Sequence, residues 1–135
     1  MKTFDKFMTT NEGKEKSNFL HKSLSTLLKS RDQVHYFHWQ TELYSEHKAF
    51  NEYYDKILNL IDDLIETAQG QYGRIFGKID FSLEDYNSDI ILKHFDDTLK
   101  CIRECRSNIK NKALENIYDE IDALILKTMY ILSLK

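Results

Sequence analysis

No proline occurs anywhere in the 135 residues, and only four glycines do: Gly13, Gly70, Gly73 and Gly77. Proline removes a backbone donor and clashes with the preceding turn, and glycine costs about 1 kcal/mol against alanine inside a helix. A chain nearly free of both can run in long helices. Three of the glycines cluster at 70–77, which marks where helix must give way. The length suits one domain with a core of its own.

Apolar positions carry the 3.6-residue period. Leu20, Leu24, Leu27, Val34 and His38 form one stripe of a first helix over 15–43, and Arg31 shares that stripe. A cation there calls for a carboxylate. A second helix is predicted over 46–69, with Gly70 as its C-cap. Turning each residue by about 100° divides this helix into three faces. Phe50, Tyr53, Ile57, Leu60, Ile61, Leu64 and Ala68 make a core face. Lys48, Glu52, Lys56, Asn59, Asp63 and Thr67 make a solvent face. The third face carries His47, Asn51, Tyr54, Leu58, Asp62 and Ile65, with Glu66 at its border. Two faces not given to solvent call for two partners.

Residues 70–89 are the one long irregular connection, and Ser82 with Asp85, or Asn87 with Ser88, offer starts for the next helix. The third helix has Ile91, Phe95, Thr98, Ile102, Cys105 and Ile109 in phase and ends near Asn108. The fourth has Leu114, Ile117, Ile121, Leu124, Thr128 and Ile131. Short first and last connections around a long crossover describe two hairpins docked as an all-α, antiparallel four-helix bundle. Residues 1–12 are polar and expected to be a loosely ordered lead-in to a single domain over 13–135.

A net charge of −3 and the lack of a basic stripe argue against DNA as a partner. No apolar run is long enough to span a bilayer and MKTFDKFMTTNEGKEK has no secretory core, so the expectation is a cytoplasmic protein that does not enter membranes. Cys101 and Cys105 read as reduced thiols filling a helix interface, because nothing nearby in sequence marks a lowered thiol pKa. His21 and His94 read as packing or surface residues.

The remaining three histidines lie in HYFHWQTELYSEH, residues 35–47, around the only tryptophan. His38 extends the stripe of the first helix, and His47 opens the third face of the second. Asp62 and Glu66, four apart, can converge on one point. Imidazole nitrogen with carboxylate oxygen suits iron, manganese or zinc. His47 and Asp62 are about 22 Å apart along one helix, however, and cannot share an ion within a chain. An antiparallel copy of the second helix, on a two-fold axis near residues 55–57, sets His47 and Asn51 of one chain against Asp62 and Glu66 of the other. The same operation makes a second site. Tyr54 and Leu58 then lie near the axis, with Ile65 in the contact.

His38-Trp39 followed by His47, Phe50, Asn51, Asp62 and Glu66 resembles the Dps branch (DNA protection during starvation) of the ferritin-like superfamily, over roughly residues 31–75. The resemblance implies a ferritin-like bundle and a ferroxidase site shared across a homodimer interface. It makes His38, His47, Asp62 and Glu66 iron ligands and allows dimers to build a larger shell. Asn51 stands where that family has Asp, and so is a weaker or indirect ligand. The linker from His38 to His47 is shorter than the family's and lacks its glycine. The Glu-x-x-His motif of ordinary ferritins is absent. The strings EHKAFNEYYD, GQYGR and IYDEIDALILKTMYILSLK also resemble a group of small tailed-phage proteins. Two functions stay open: binding of iron or another divalent metal with ferroxidase-like activity, and a non-enzymatic helical interaction or structural protein that kept the scaffold. In the second, the histidines and carboxylates form an interfacial polar network and Arg31 pairs with Asp62 or Glu66.

Overall fold

A computed structural model describes residues 11–134, which form four helices and no strand: α1 (Asn11–Gln40), α2 (Tyr44–Tyr72), α3 (Ile91–Ser107) and α4 (Lys112–Ser133). The backbones of α1 and α4 each pack on both α2 and α3, whereas the pairs α1/α4 and α2/α3 face each other across the core. This is a four-helix bundle around one shared interior, filled by side chains such as Leu27, Phe37, Phe50, Ile57, Phe95, Ile102, Ile121 and Ile125. No helix among the described residues is long and apolar enough to cross a membrane.

The helical phases of α2 and α3 agree with the sequence reading, apart from Leu60, which is half-buried. In α1 and α4 most of the expected stripe is inside, with Leu20, Leu27, Val34, His38, Leu114, Ile121 and Thr128 buried, but Leu24, Ile117, Leu124 and Ile131 are half-buried, while Ser23, Ser30, Tyr118 and Ile125 are also fully inside. The buried serines meet the need of a buried tyrosine for a hydroxyl partner. Ser23 Oγ lies 2.7 Å from the Tyr118 hydroxyl, a bond that crosses the core from α1 to α4. Ser30 Oγ lies 2.8 Å from the Tyr53 hydroxyl and 2.9 Å from His94 Nε2. A serine on α1 is therefore a core residue wherever a tyrosine from another helix meets it.

Helix ends differ from expectation for local reasons. α1 stops at Gln40, because Thr41 Oγ1 accepts the Leu43 N–H at 3.1 Å and donates to Glu46 at 2.7 Å, which folds residues 41–43 into the turn. α2 runs through Gly70 and ends at Gly73, whose φ of 92° only glycine adopts freely and whose N–H reaches Gln69 O at 2.9 Å. Asn87, one of the expected start residues, takes the Asp89 N–H on its side chain at 2.9 Å just before α3. Asn111 caps α4 by accepting the Leu114 N–H at 3.1 Å. Of the expected lead-in 1–12, residues 1–10 lie outside the described residues, and Asn11 and Glu12 already belong to α1.

The crossover, residues 73–90, lies along α1 and advances with it. Gly77 sits on the His21 ring so closely that an added Cβ would be 2.5 Å from Nε2. Further on, the Gln33 amide donates to Glu84 O at 2.8 Å and accepts from Glu84 N at 2.7 Å. Gln40, seven residues later on α1, accepts from Tyr86 N at 2.6 Å and donates to Asp85 at 3.0 Å. The two glutamines satisfy backbone groups that an irregular segment would otherwise leave to solvent.

His94 ties this region to acid stability. Burial, and then the Lys29 ammonium, pushes its pKa down to about 4. The unfolded imidazole takes its proton near pH 6.5, so acid binds the unfolded chain first. The associated stability is whole above pH 6.5 and is lost as the pH falls to 4. Urea unfolding should show a loss of about 3 kcal/mol across that interval, and His94→Gln should remove most of the slope. An unchanged slope in the variant would contradict a buried neutral imidazole.

Candidate functional site

The α1–α2 turn folds His38, in the last turn of α1, against His47, in the first turn of α2. His38 is 9% exposed and His47 half-buried. Their rings stack at 3.7 Å between centroids with 21° between planes. His38 Nδ1 lies 2.8 Å from His47 O, and His47 Nδ1 lies 2.9 Å from His38 O. A carbonyl oxygen only accepts, so each Nδ1 carries the hydrogen and each neutral ring keeps its lone pair on Nε2. Metal-bound histidines are held in this way, with the second ring nitrogen tied to a carbonyl or carboxylate. The short linker thus delivers His38 to His47.

An aromatic layer backs the pair. His35 stacks on Tyr54 at 4.0 Å and 22°, and meets Trp39 in a tilted contact at 4.1 Å and 33°. Tyr54 meets His38 edge-on at 5.3 Å. Burial, then His38, then Arg31, lowers the pKa of His35. Sequence reasoning passed over His35, although its spacing of three from His38 and four from Trp39 puts all three on one turn of α1. Trp39 remains 67% exposed. Tyr54 donates its hydroxyl to Asn51 Oδ1 at 2.5 Å, and Asn51 Nδ2 reaches Asp55 at 3.5 Å. The oxygen of Asn51 is therefore already engaged.

The rest of the third face of α2 is open. Leu58 is 38% exposed and Ile65 half-buried. Asp62 and Glu66 are exposed and have neither an ion pair nor a hydrogen bond among the described residues. The structure brings His38, His47, Asn51 and Tyr54 together and leaves the two carboxylates at the other end of the helix. Among the described residues no group of three or more His, Cys, Asp or Glu side chains is placed to hold a metal ion. Within one chain the two imidazoles meet no carboxylate among the described residues. Arg31 meets Asp32 at 3.4 Å, not Asp62 or Glu66 of its own chain, and its Nε is buried without a partner.

A separate cleft of about 450 Å³ lies between α1, α3 and the crossover, lined by Lys29, Gln33, Phe37, Glu84, Lys93, His94 and Asp97 among others. Its lysines and carboxylates balance, and Lys93 is tied to Asp97 at 2.6 Å. Nothing in that lining selects one ligand charge.

The fold and the site together define an all-helical bundle with a paired-imidazole end. The chain belongs to a family of unknown function, DUF5856, whose sequence model matches residues 38–132, from His38 almost to the end of α4. No curated protein and no solved structure matches it.

The tautomers are directly measurable. In ¹⁵N-resolved spectra of the neutral rings, His38 and His47 should both show a protonated Nδ1 and a bare Nε2. A protonated Nε2 on either ring would contradict the reciprocal bonds.

Proposed function

We propose that this is a ferritin-like metal-binding protein of the Dps type, holding iron at a site shared by two copies of the chain. The observation that carries the reading is the His38–His47 pair, two imidazoles with Nδ1 tied back and Nε2 left for a ligand. The arrangement of the bundle supports the scaffold. Lys22, Thr26 and Ser30 of α1 meet Glu104, Cys101 and His94 of α3, numbering falling on one helix as it rises on the other. Arg103 and Arg106 of α3 meet Asp122 and Asp119 of α4 in the same opposed sense. Two hairpins of opposed helices, linked by one long crossover from α2 to α3, match the topology of ferritin-like folds.

In the proposed dimer two α2 helices run antiparallel about an axis near residues 55–57. His38 and His47 of one chain then face Asp62 and Glu66 of the other. The open face of α2 is self-complementary under that operation: nitrogen donors at one end, unpaired carboxylates at the other, and Tyr54, Leu58 and Ile65 between. Asn51, its oxygen held by Tyr54, orients rather than binds. Fe(II) is the substrate: while held it gives one electron to dioxygen or a peroxide from solution, and the chain supplies oriented nitrogens and anionic oxygens that favour the more highly charged Fe(III).

Two observations favour a second reading. The Tyr54–Asn51 bond removes an oxygen donor, and Arg31 has a buried Nε without a partner. A dimer in which Arg31 takes the other chain's Asp62 or Glu66 would be an interaction protein without metal chemistry.

Anaerobic Fe(II) titration of the purified protein, with its mass in solution measured alongside, tests both readings. Two ions per dimer are expected, with binding abolished in His47→Ala and in Asp62→Ala while the dimer persists. A dimer that binds no Fe(II) at micromolar concentration leaves the second reading, and a monomer overturns both.

A further inference from the structure

The cleft between α1, α3 and the crossover shares no lining residue with the imidazole pair, and its volume of about 450 Å³ is in the range that holds small ligands. His94 joins it to the core. Its Nε2 lies 2.9 Å from Ser30 Oγ, which lies 2.8 Å from the Tyr53 hydroxyl. Tyr53 and Ser30 are fully buried, and neither hydroxyl has a further partner among the described residues. One arrangement of hydrogens satisfies both: Tyr53 donates to Ser30, and Ser30 donates to His94 Nε2. Any other buries a hydroxyl hydrogen without an acceptor, which is costly. Burial pushes the His94 pKa down to about 4, so at neutral pH the ring carries one hydrogen, and it is on Nδ1. That nitrogen has no partner among the described residues and is not enclosed. It presents a hydrogen-bond donor to whatever enters the cleft.

Charges of both signs stand at the same cleft. Lys93 is committed to Asp97 at 2.6 Å. Lys29 and Glu84 are exposed and have no ion pair among the described residues. The Lys29 ammonium is near enough to act on the His94 ring. The Glu84 backbone is clamped by the Gln33 amide at 2.8 and 2.7 Å, which fixes where its carboxylate begins. Phe37 and Ile90 add apolar wall.

We infer that this cleft binds a free amino acid with an apolar side chain. The ligand's carboxylate accepts the Nδ1 hydrogen of His94 and meets the Lys29 ammonium. Its amino group meets the Glu84 carboxylate, and its side chain lies against Phe37 and Ile90. A lining that selects neither charge alone suits a ligand that carries both. A simple acid leaves Glu84 unanswered, and a simple amine leaves Lys29 and His94 unanswered. The site stands apart from the proposed metal centre and does not depend on it.

The experiment is titration of the ¹⁵N-labelled full chain at neutral pH with L-leucine, 4-methylpentanoate and 3-methylbutylamine, which share one branched body and differ in charge. Leucine should bind saturably at millimolar concentration or below and shift the His94 Nδ1 resonance, with the acid and the amine each weaker by about tenfold. Lys29→Met, at an exposed position, should weaken leucine and the acid but not the amine. Glu84→Gln, which keeps the backbone bonds to Gln33, should weaken leucine and the amine but not the acid. No saturable shift with leucine, an acid or amine that binds as tightly as leucine, variants that bind leucine like the wild type, or a bare Nδ1 on His94 would each overturn the inference.

Discussion

The reciprocal hydrogen bonds between His38 and His47 set the terms for the whole of the candidate site. His38 O belongs to the last turn of α1, where carbonyls have no helical partner, and the His47 imidazole supplies one. The same bond fixes which nitrogen of His47 carries hydrogen, and its mirror does so for His38. A helix end, a turn and two tautomers are therefore settled by one interaction. Replacing either ring would release the other.

α1 serves four different partners along its length. Ser23 and Ser30 face the core and receive tyrosine hydroxyls. Gln33 and Gln40 hold the crossover, Lys22 and Thr26 meet Glu104 and Cys101 of α3, and His35 and His38 build the aromatic end. Thirty residues of unbroken helix make this possible, and the absence of proline makes the helix possible. α2 differs: one face is core, one is solvent, and the third is half-open, with His47 near one end and the exposed Asp62 and Glu66 near the other.

What could be read from the sequence follows from that contrast. The faces of α2 and α3 were legible because their apolar residues alone carry the period. In α1 and α4 the period includes Ser23, Ser30 and Tyr118, which enter the core only because each meets a partner from another helix. The path of the crossover was hidden for the same reason, since Gln33 and Gln40 look like surface residues until Glu84 and Tyr86 lie on them. His38 and His47 were found from spacing and resemblance, but His35 depends on Tyr54 across the hairpin. The surroundings of Cys101 are not legible in sequence, because Thr26 stands 75 residues away. Gly70 was taken for the C-cap in place of Gly73 because composition does not say which glycine needs positive φ.

The central claim is that each metal site draws on two chains, and subunit complementation tests it most directly. His47→Ala and Asp62→Ala chains, each unable to bind Fe(II) alone, are mixed, dissociated and reassembled. Half of the resulting dimers pair one chain of each kind, and each of those has one intact site and one doubly broken. The account predicts that Fe(II) binding returns to about a quarter of the wild-type stoichiometry. A mixture that binds no more than either variant alone, while the wild type binds, would contradict it.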